Sequence, residues 1–334
     1  MSLEENWKEK FSNVEPPRDK NREVLVGFNT DIDMIKRLDQ SVLDSYVQKL
    51  NKEEIDRKIG DPPSVVSKEE DFAASLLSSL EHGEANEVDI EDKKTAESIR
   101  EAFDFEDSNV GGQAGISANF LSRYASVILY TPFVSESQRE YFSEKILYPV
   151  IDENGLVLKN VRDVKNTEKT KRNLIFEYRK GMKTKTFNFI TPDSGRFILS
   201  DYISGYEPLF PKKLEKKISL LVENTDRVFL SGYQDLRGRN FHSRLSRACN
   251  QLRTIKGSNP GLRIHLEFVS ERNEKLEIEI LDQVAREVHS IGCDRFELEQ
   301  ILDLLDRHEL AEDVGKSDFS LGSAFNAAKE VMRI

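Results

Sequence analysis

Four groups of residues have side-chain types and spacings that could do chemistry. The first is Asn29, Asp31 and Asp33, spaced by two. In an extended segment that spacing points all three side chains to one face, where carboxylates accept hydrogen bonds from the O–H groups of a hydroxyl-rich ligand. A solvated loop, with an aspartate capping a helix that starts near Met34, accounts for the same residues without a ligand. The second group is Gly111-Gly112-Gln113-Ala114-Gly115, a glycine-rich turn opening a helix. Glycines allow a sharp turn and close backbone approach, and the amides at a helix start attract oxyanions and polar oxygens. The segment matches neither GxGxxG nor GxxxxGK[ST], and a purely structural turn is its alternative.

The third group pairs His265 and Glu267, alternating on a strand, with Asp294-Arg295-Phe296-Glu297, which opens a helix marked by Leu298, Ile301, Leu302 and Leu305. Asp294 followed three residues later by Glu297 spells a capping box, a structural role. Glu267 and Glu297 could instead hold Mg2+ through its water shell, as carboxylates at phosphoryl-transfer sites do. The fourth group is Lys171, Arg172, Arg179, Lys180 and Arg196, a basic cluster inside an acidic chain. A solvated hairpin is the ordinary explanation, and a phosphate-bearing ligand is the other.

The elements that must position these groups read as an α/β protein. A strand over Glu23–Phe28 delivers the first group to its end, where loops of an open sheet face the ligand crevice. Further strands are expected at 126–130, 156–158, 227–232 and 262–268, and helices at 39–58, 69–80, 93–103 and 239–256, from their apolar spacing. A hairpin is expected from 173–178 and 185–190, turning at 179–182. The segment up to Lys20 reads as a charged tail or helix.

At 334 residues the chain is long enough for one large domain or two. Hydrophobic residues at 38% and charged residues at 33% describe a soluble globular protein. Apolar runs such as Val24-Leu25-Val26 are strand-sized, far short of the ~20 residues of a membrane-spanning helix. With 49 basic and 60 acidic residues the net charge is −11, which argues against nucleic acid or an anionic membrane as main partner. Residues 1–17 contain no apolar secretory core, so a cytoplasmic location is expected. Cys249 and Cys293 are too few for a disulfide scaffold and lack CxxC spacing. Both are expected as small buried residues.

Seven stretches in order, Gly27-Phe28-Asn29-Thr30-Asp31-Ile32-Asp33, Gly111-Gly112-Gln113-Ala114-Gly115, Tyr130-Thr131-Pro132-Phe133, Ile175-Phe176-Glu177-Tyr178-Arg179-Lys180-Gly181, Ser194-Gly195-Arg196-Phe197, Ser231-Gly232-Tyr233-Gln234 and His265-Leu266-Glu267-Phe268, carry a resemblance. Over about 23–312 the chain resembles the archaeal-type ADP-dependent phosphofructokinase/glucokinase family, which has a ribokinase-like fold. The resemblance implies a mostly parallel sheet flanked by helices, with a smaller β-rich lid domain. The expected lid is 25–50, 86–108 and 159–200, against a large domain of 1–24, 51–85, 109–158 and 201–334. The sugar would lie between them, and lid closure would expel water.

The activity so implied is a glycolytic transferase that moves the β-phosphoryl group of ADP, with Mg2+, onto fructose 6-phosphate, glucose or both. By the same resemblance Asp33 is the sugar-binding aspartate, Gly112, Gln113 and Gly115 form the sugar-contacting loop, and Asn173 is a further sugar contact. Arg172 and Arg196 fall near positions holding a sugar 6-phosphate, and Glu87 matches the glutamate that glucose-phosphorylating members use. Glu267 and Glu297 match the HxE and NxxE metal elements, although Asp294 stands where the family has Asn. The family's GxGD segment, with its general-base aspartate and anion hole, has no counterpart here: Gly315 and Gly322 are not in that frame. The chain is therefore expected to lack the C-terminal third of such a kinase. The alternative is a non-catalytic, sugar-binding, kinase-like protein.

Overall fold

The computed structural model describes residues 22–201, 203, 205–238, 240–270, 273–316 and 320–332. The charged opening segment and Arg239 lie outside them. Among the described residues, thirteen strands form two sheets. In chain order they are β1 (Glu23–Phe28), β2 (Asp31–Arg37), β3 (Val65–Val66), β4 (Asn86–Ile90), β5 (Asp107–Gly111), β6 (Ser126–Tyr130), β7 (Ile146–Asp152), β8 (Gly155–Asn160), β9 (Arg172–Tyr178), β10 (Gly195–Asp201), β11 (Arg227–Ser231), β12 (Arg263–Glu267) and β13 (Ser290–Gly292).

The larger sheet has the order β13-β12-β11-β1-β6-β7-β8 and is parallel apart from the β7–β8 hairpin. Its central strand β1 is a continuous apolar run, as a strand covered on both faces must be. The smaller sheet, β3-β4-β10-β9-β2-β5, mixes parallel and antiparallel pairs. Its strands alternate. Val88, Ile90, Leu174, Phe176, Tyr178, Phe197 and Leu199 enter one hydrophobic core with the helices of residues 40–102, which leaves Glu87, Asn173 and Ser200 to the opposite face.

That core is aromatic. The Phe72 ring, on the helix Glu69–His82, lies 5.7 Å from Tyr46, 6.0 Å from Phe103, 5.1 Å from Phe176 and 5.9 Å from Phe197, in edge-on or tilted contacts. Gly83 ends the helix in the left-handed region, at φ 70°.

The structure departs from the sequence reading at several points, among them residues 25–28, expected in the lid, which are the central strand of the larger sheet. The helix expected over 39–58 is two, Gln40–Val47 and Lys52–Ile59, because Asn51 interrupts the first run and caps the second through the Glu54 amide. Residues 51–85, expected in the large domain, bury Ile55, Val66, Phe72, Leu76 and Leu80 in the core of the smaller sheet. The hairpin partner of β9 is β10, not 185–190, which makes an isolated bridge, Lys183 to Ile190. There the Thr184 hydroxyl accepts the Phe187 amide at 3.0 Å and curls the segment into a turn. Strand β7, which the sequence reading passes over, carries Pro149. No helix among the described residues is long and apolar enough to cross a membrane.

Phe72→Ala is expected to destabilise the fold by about 3–5 kcal/mol, the cost of emptying a buried aromatic site. Denaturant unfolding measures it, and a loss under about 1 kcal/mol would show that this core is not closely packed.

Candidate functional site

The chain leaves the centre of the larger sheet at Phe28 and enters the smaller one at Asp31, so Asn29 and Thr30 are the crossing between the two. Both are buried. The Thr30 and Thr131 hydroxyls are 2.7 Å apart, and Gln138 Nε2 donates to Thr30 Oγ1 at 2.9 Å. Asn29 Nδ2 donates to Gln113 Oε1 at 2.8 Å, and the Gly115 amide donates to the Asn29 carbonyl at 3.3 Å. Two glycines make room. A Cβ on Gly112 (φ +72°) would stand 2.5 Å from the Asn29 carbonyl oxygen, and one on Gly232 (φ +99°) 2.8 Å from Asn29 Cβ. The start of the helix Gln113–Leu121 is thereby fixed against the crossing.

Beyond the crossing no helix begins near Met34; that residue lies within β2. Asp31 and Asp33 project towards Gly111 of the neighbouring strand, where a Cβ would stand 2.0 Å from Asp31 Oδ1 and 2.3 Å from Asp33 Oδ1. Asp33 Oδ1 also accepts Asn173 Nδ2 at 3.0 Å. The Ser200 hydroxyl stands 2.9 Å from Asn173 Oδ1 and 2.6 Å from Glu87 Oε1. Asp33, Asn173, Ser200 and Glu87 thus form one hydrogen-bonded row across β2, β9, β10 and β4. The row brings Asp33, Asn173 and Glu87 together beside Gly112, Gln113 and Gly115. Ser200 was not among the candidates, although its parity with Arg196 on one strand is readable from the sequence.

Arg196 lies on the same face, four residues along β10 from Ser200, about 13 Å of strand. It lines a cavity of about 710 Å3 with Arg37, Arg179 and Ser194. Arg172 is elsewhere. It has the parity of Leu174 and Phe176, which point into the helix-covered core, and its charged neighbours are Asp201, Arg100 and Glu97. Burial pushes the Asp201 carboxyl up to about 6 against the attraction of Arg172 and Arg100. The structure does not bring Arg172 to the polar row, because neighbours on a strand face opposite ways.

Two ion pairs tie the sheets together on this face. Lys171 Nζ lies 3.1 Å from Asp235 Oδ2, and Arg237 Nη1 pairs with Asp89 of β4. Burial alone would depress the Lys171 ammonium, but its acidic neighbours, Asp235 foremost, outweigh it and hold it above its ordinary value.

The acidic pair at the far end of the larger sheet is built differently. His265 Nε2 is 3.1 Å from Glu267 Oε2, and His265 Nδ1 is 2.9 Å from Ser290 Oγ. A Cβ on Gly292 would stand 2.2 Å from Glu267 Oε2, so the glycine makes space for that carboxylate. Asp294 and Glu297 complete the capping box, with 2.8 and 2.6 Å bonds in the two directions. Burial pushes the Glu297 carboxyl up to about 7; the Asp294 amide pulls it down, and the Asp294 and Glu267 charges add to the rise. Among the described residues no three His, Cys, Asp or Glu side chains converge to hold a metal ion. Carboxylate oxygens nevertheless suit a hard divalent cation that keeps most of its water.

A model of the ADP-specific Phosphofructokinase/Glucokinase conserved region matches residues 22–334. An ADP-specific phosphofructokinase of Pyrococcus furiosus is 31% identical over 302 residues, 87% of this chain and 66% of that protein. An ADP-dependent glucose/glucosamine kinase of Pyrococcus abyssi is 27% identical over 322 residues, 95% of this chain and 70% of that protein. A solved ADP-dependent kinase in complex with fructose-6-phosphate and ADPbetaS superposes with a TM-score of 0.82 at 28% identity, covering 100% of this chain and 70% of the other. The chain spans about two thirds of the length of the curated relatives it matches.

Gly111→Ala is expected to cost about 1–3 kcal/mol, since the added methyl must displace both carboxylates. Gly60→Ala is the control. Gly60 is helical, with φ −72°, and nothing lies within 4 Å of its would-be Cβ, so the substitution should stabilise by up to about 1 kcal/mol. Equal melting curves for the two variants would contradict the packing at Gly111.

Proposed function

The chain belongs to the ADP-specific phosphofructokinase/glucokinase family, and from that premise we propose that it binds a hexose or hexose 6-phosphate on the polar face of the smaller sheet, for phosphoryl transfer from ADP. The observation that carries this reading is the row Asp33–Asn173–Ser200–Glu87, four polar side chains joined at 2.6–3.0 Å on one sheet face next to the start of the helix Gln113–Leu121. Fixed acceptors and donors at hydroxyl spacing suit a sugar, and each is pre-oriented by its neighbour.

Asp33 and Glu87 would accept sugar hydroxyls, with Asn173 holding Asp33 in place. Gly112, Gln113 and Gly115 would close the site from the side of the crossing. Arg196, with Arg37 and Arg179 around the adjoining cavity, would take the 6-phosphate of a phosphorylated sugar. Arg172, on the other face, has no part in this assignment. Glu267 and Glu297 would hold Mg2+ through its water shell, and the ion would supply charge neutralisation for the nucleotide phosphates. Closing the sheets over the sugar would exclude water as a competing acceptor.

The 334 residues contain no GxGD segment, so binding and turnover are tested separately. Glucose and fructose 6-phosphate are each titrated in a thermal shift experiment, and a coupled assay then offers ADP or ATP with Mg2+. A sugar-dependent rise in melting temperature is expected, since a ligand that binds the native state stabilises it; no rise with either sugar overturns the reading. Glu87→Ala is expected to weaken glucose binding about tenfold, the loss of one hydrogen bond to a charged group. Arg196→Ala should weaken fructose 6-phosphate more than glucose, and Arg172→Ala should change neither. Unchanged glucose affinity in Glu87→Ala removes the role given to that carboxylate.

A further inference from the structure

The polar face sets several acids around one lysine. The charged groups that face Asp31 are Asp33 on its own strand, Glu87 across the sheet on β4, and Lys171 at the approach to β9. Lys171 is itself in contact with Asp235 at 3.1 Å. Lys171 is therefore shared between Asp235 and Asp31.

Asp31 is the most enclosed of these four acids, with 2% of its surface exposed. Its Oδ1 is buried and receives no hydrogen bond. What it meets is Asp33: both Oδ1 atoms approach the same point above Gly111, 2.0 and 2.3 Å from where a Cβ would stand. Two carboxylates directed at one point, Asp31 buried and Asp33 half-buried, repel unless a proton lies between them. Asn173 does not relieve the contact, because its amide donates to Asp33. Burial, followed by the Asp33 charge, raises Asp31 well above the ordinary carboxylate value against the pull of Lys171.

We propose that Asp31 is a positioning residue: it keeps its proton at neutral pH and donates it to Asp33, fixing that carboxylate as the acceptor for a sugar hydroxyl. The sugar half of this statement rests on the function proposed above. Asp33 then receives two protein donors, Asn173 Nδ2 from one side and the Asp31 carboxyl from the other, and its remaining lone pairs are directed at the ligand. The proton also spares the site one buried negative charge before any sugar arrives.

Infrared difference spectra of the full chain against Asp31→Asn, at neutral pH, test the proton directly. In the difference, where the contributions of Glu297 and Asp201 cancel, a protonated-carboxyl C=O stretch is expected in the wild type and lost in Asp31→Asn; no such difference band overturns the proposal. If the variant does not fold, the wild-type band at pH 9 decides, since carboxyls raised only to about 6 or 7, as Asp201 and Glu297 are, have lost their protons there. The positioning role is read with glucose and fructose 6-phosphate as probes. Asp31→Ala should weaken binding about tenfold, and Asp31→Asn, whose amide donates in place of the acid, should recover most of that loss. Equal losses in both variants, or no loss in either, overturn the positioning role. A band in a protein that binds neither sugar overturns the function assigned to the site, whereas a missing band in a protein that binds sugar overturns the proton alone.

Discussion

Two residues hold the molecule's geometry together. Asn29 and Thr30 carry the chain from the middle of one sheet to the interior of the other, and such a short link leaves little freedom in how the two meet. Every close approach around them follows from it. Gly112 and Gly232 lie on either side because a side chain at either position would collide with Asn29, and the Thr30, Thr131 and Gln138 hydrogen bonds occupy the space that remains. Aligned backbones and buried polar groups are costly unless satisfied. This junction satisfies most of its groups with its own side chains, and it presents the helix start at Gln113 and the acids of β2 to one crevice.

The smaller sheet divides its chemistry by face. One face is sealed by Phe72, Phe103, Phe176 and Phe197 against four helices. The other bears Asp31, Asp33, Glu87, Asp89, Asn173 and Ser200, tied back to the larger sheet through Lys171 and Arg237. The same strands therefore supply a rigid backing and a polar surface, and the precision of the second depends on the packing of the first. Ion pairs between the sheets do not need large net energies to matter; their geometry sets where the acids of β4 and β2 stand relative to the body of the protein.

Much of this was legible in the chain. Apolar runs marked β1, β6, β11 and β12, the Asp294–Glu297 spacing marked a cap that the structure contains, and the spacing of Asp31 and Asp33 marked a shared face. All are local signals, written within a few residues. The partner of β9 was not legible in this way, because 185–190 and β10 both carry alternating apolar residues and the choice is made by packing on Phe72. Ile55 and Leu76 were assigned to the core of the larger sheet, and pack in the other, for the same reason. Arg172 is the instructive case. Assigning both it and Asn173 to one ligand conflicts with the two-residue repeat of a strand, a constraint visible in the sequence once 173–178 is read as extended. The enclosure of Asp31 belongs to the assembled fold, since it needs Gly111, Lys171 and Asp33 around it.

The strand order has a consequence for how the protein comes into being on the ribosome. Strand β1 is synthesised before both of its neighbours in the sheet, β6 about a hundred residues later and β11 about two hundred later. Between them the whole of the smaller sheet is made, complete by Asp201. The emerging chain can therefore finish the inserted layer while the strand that anchors it still has one edge open. Pairings this distant close slowly, because a long loop must be ordered before they form. For that interval the apolar edge of β1 is unpaired and open to association with another chain.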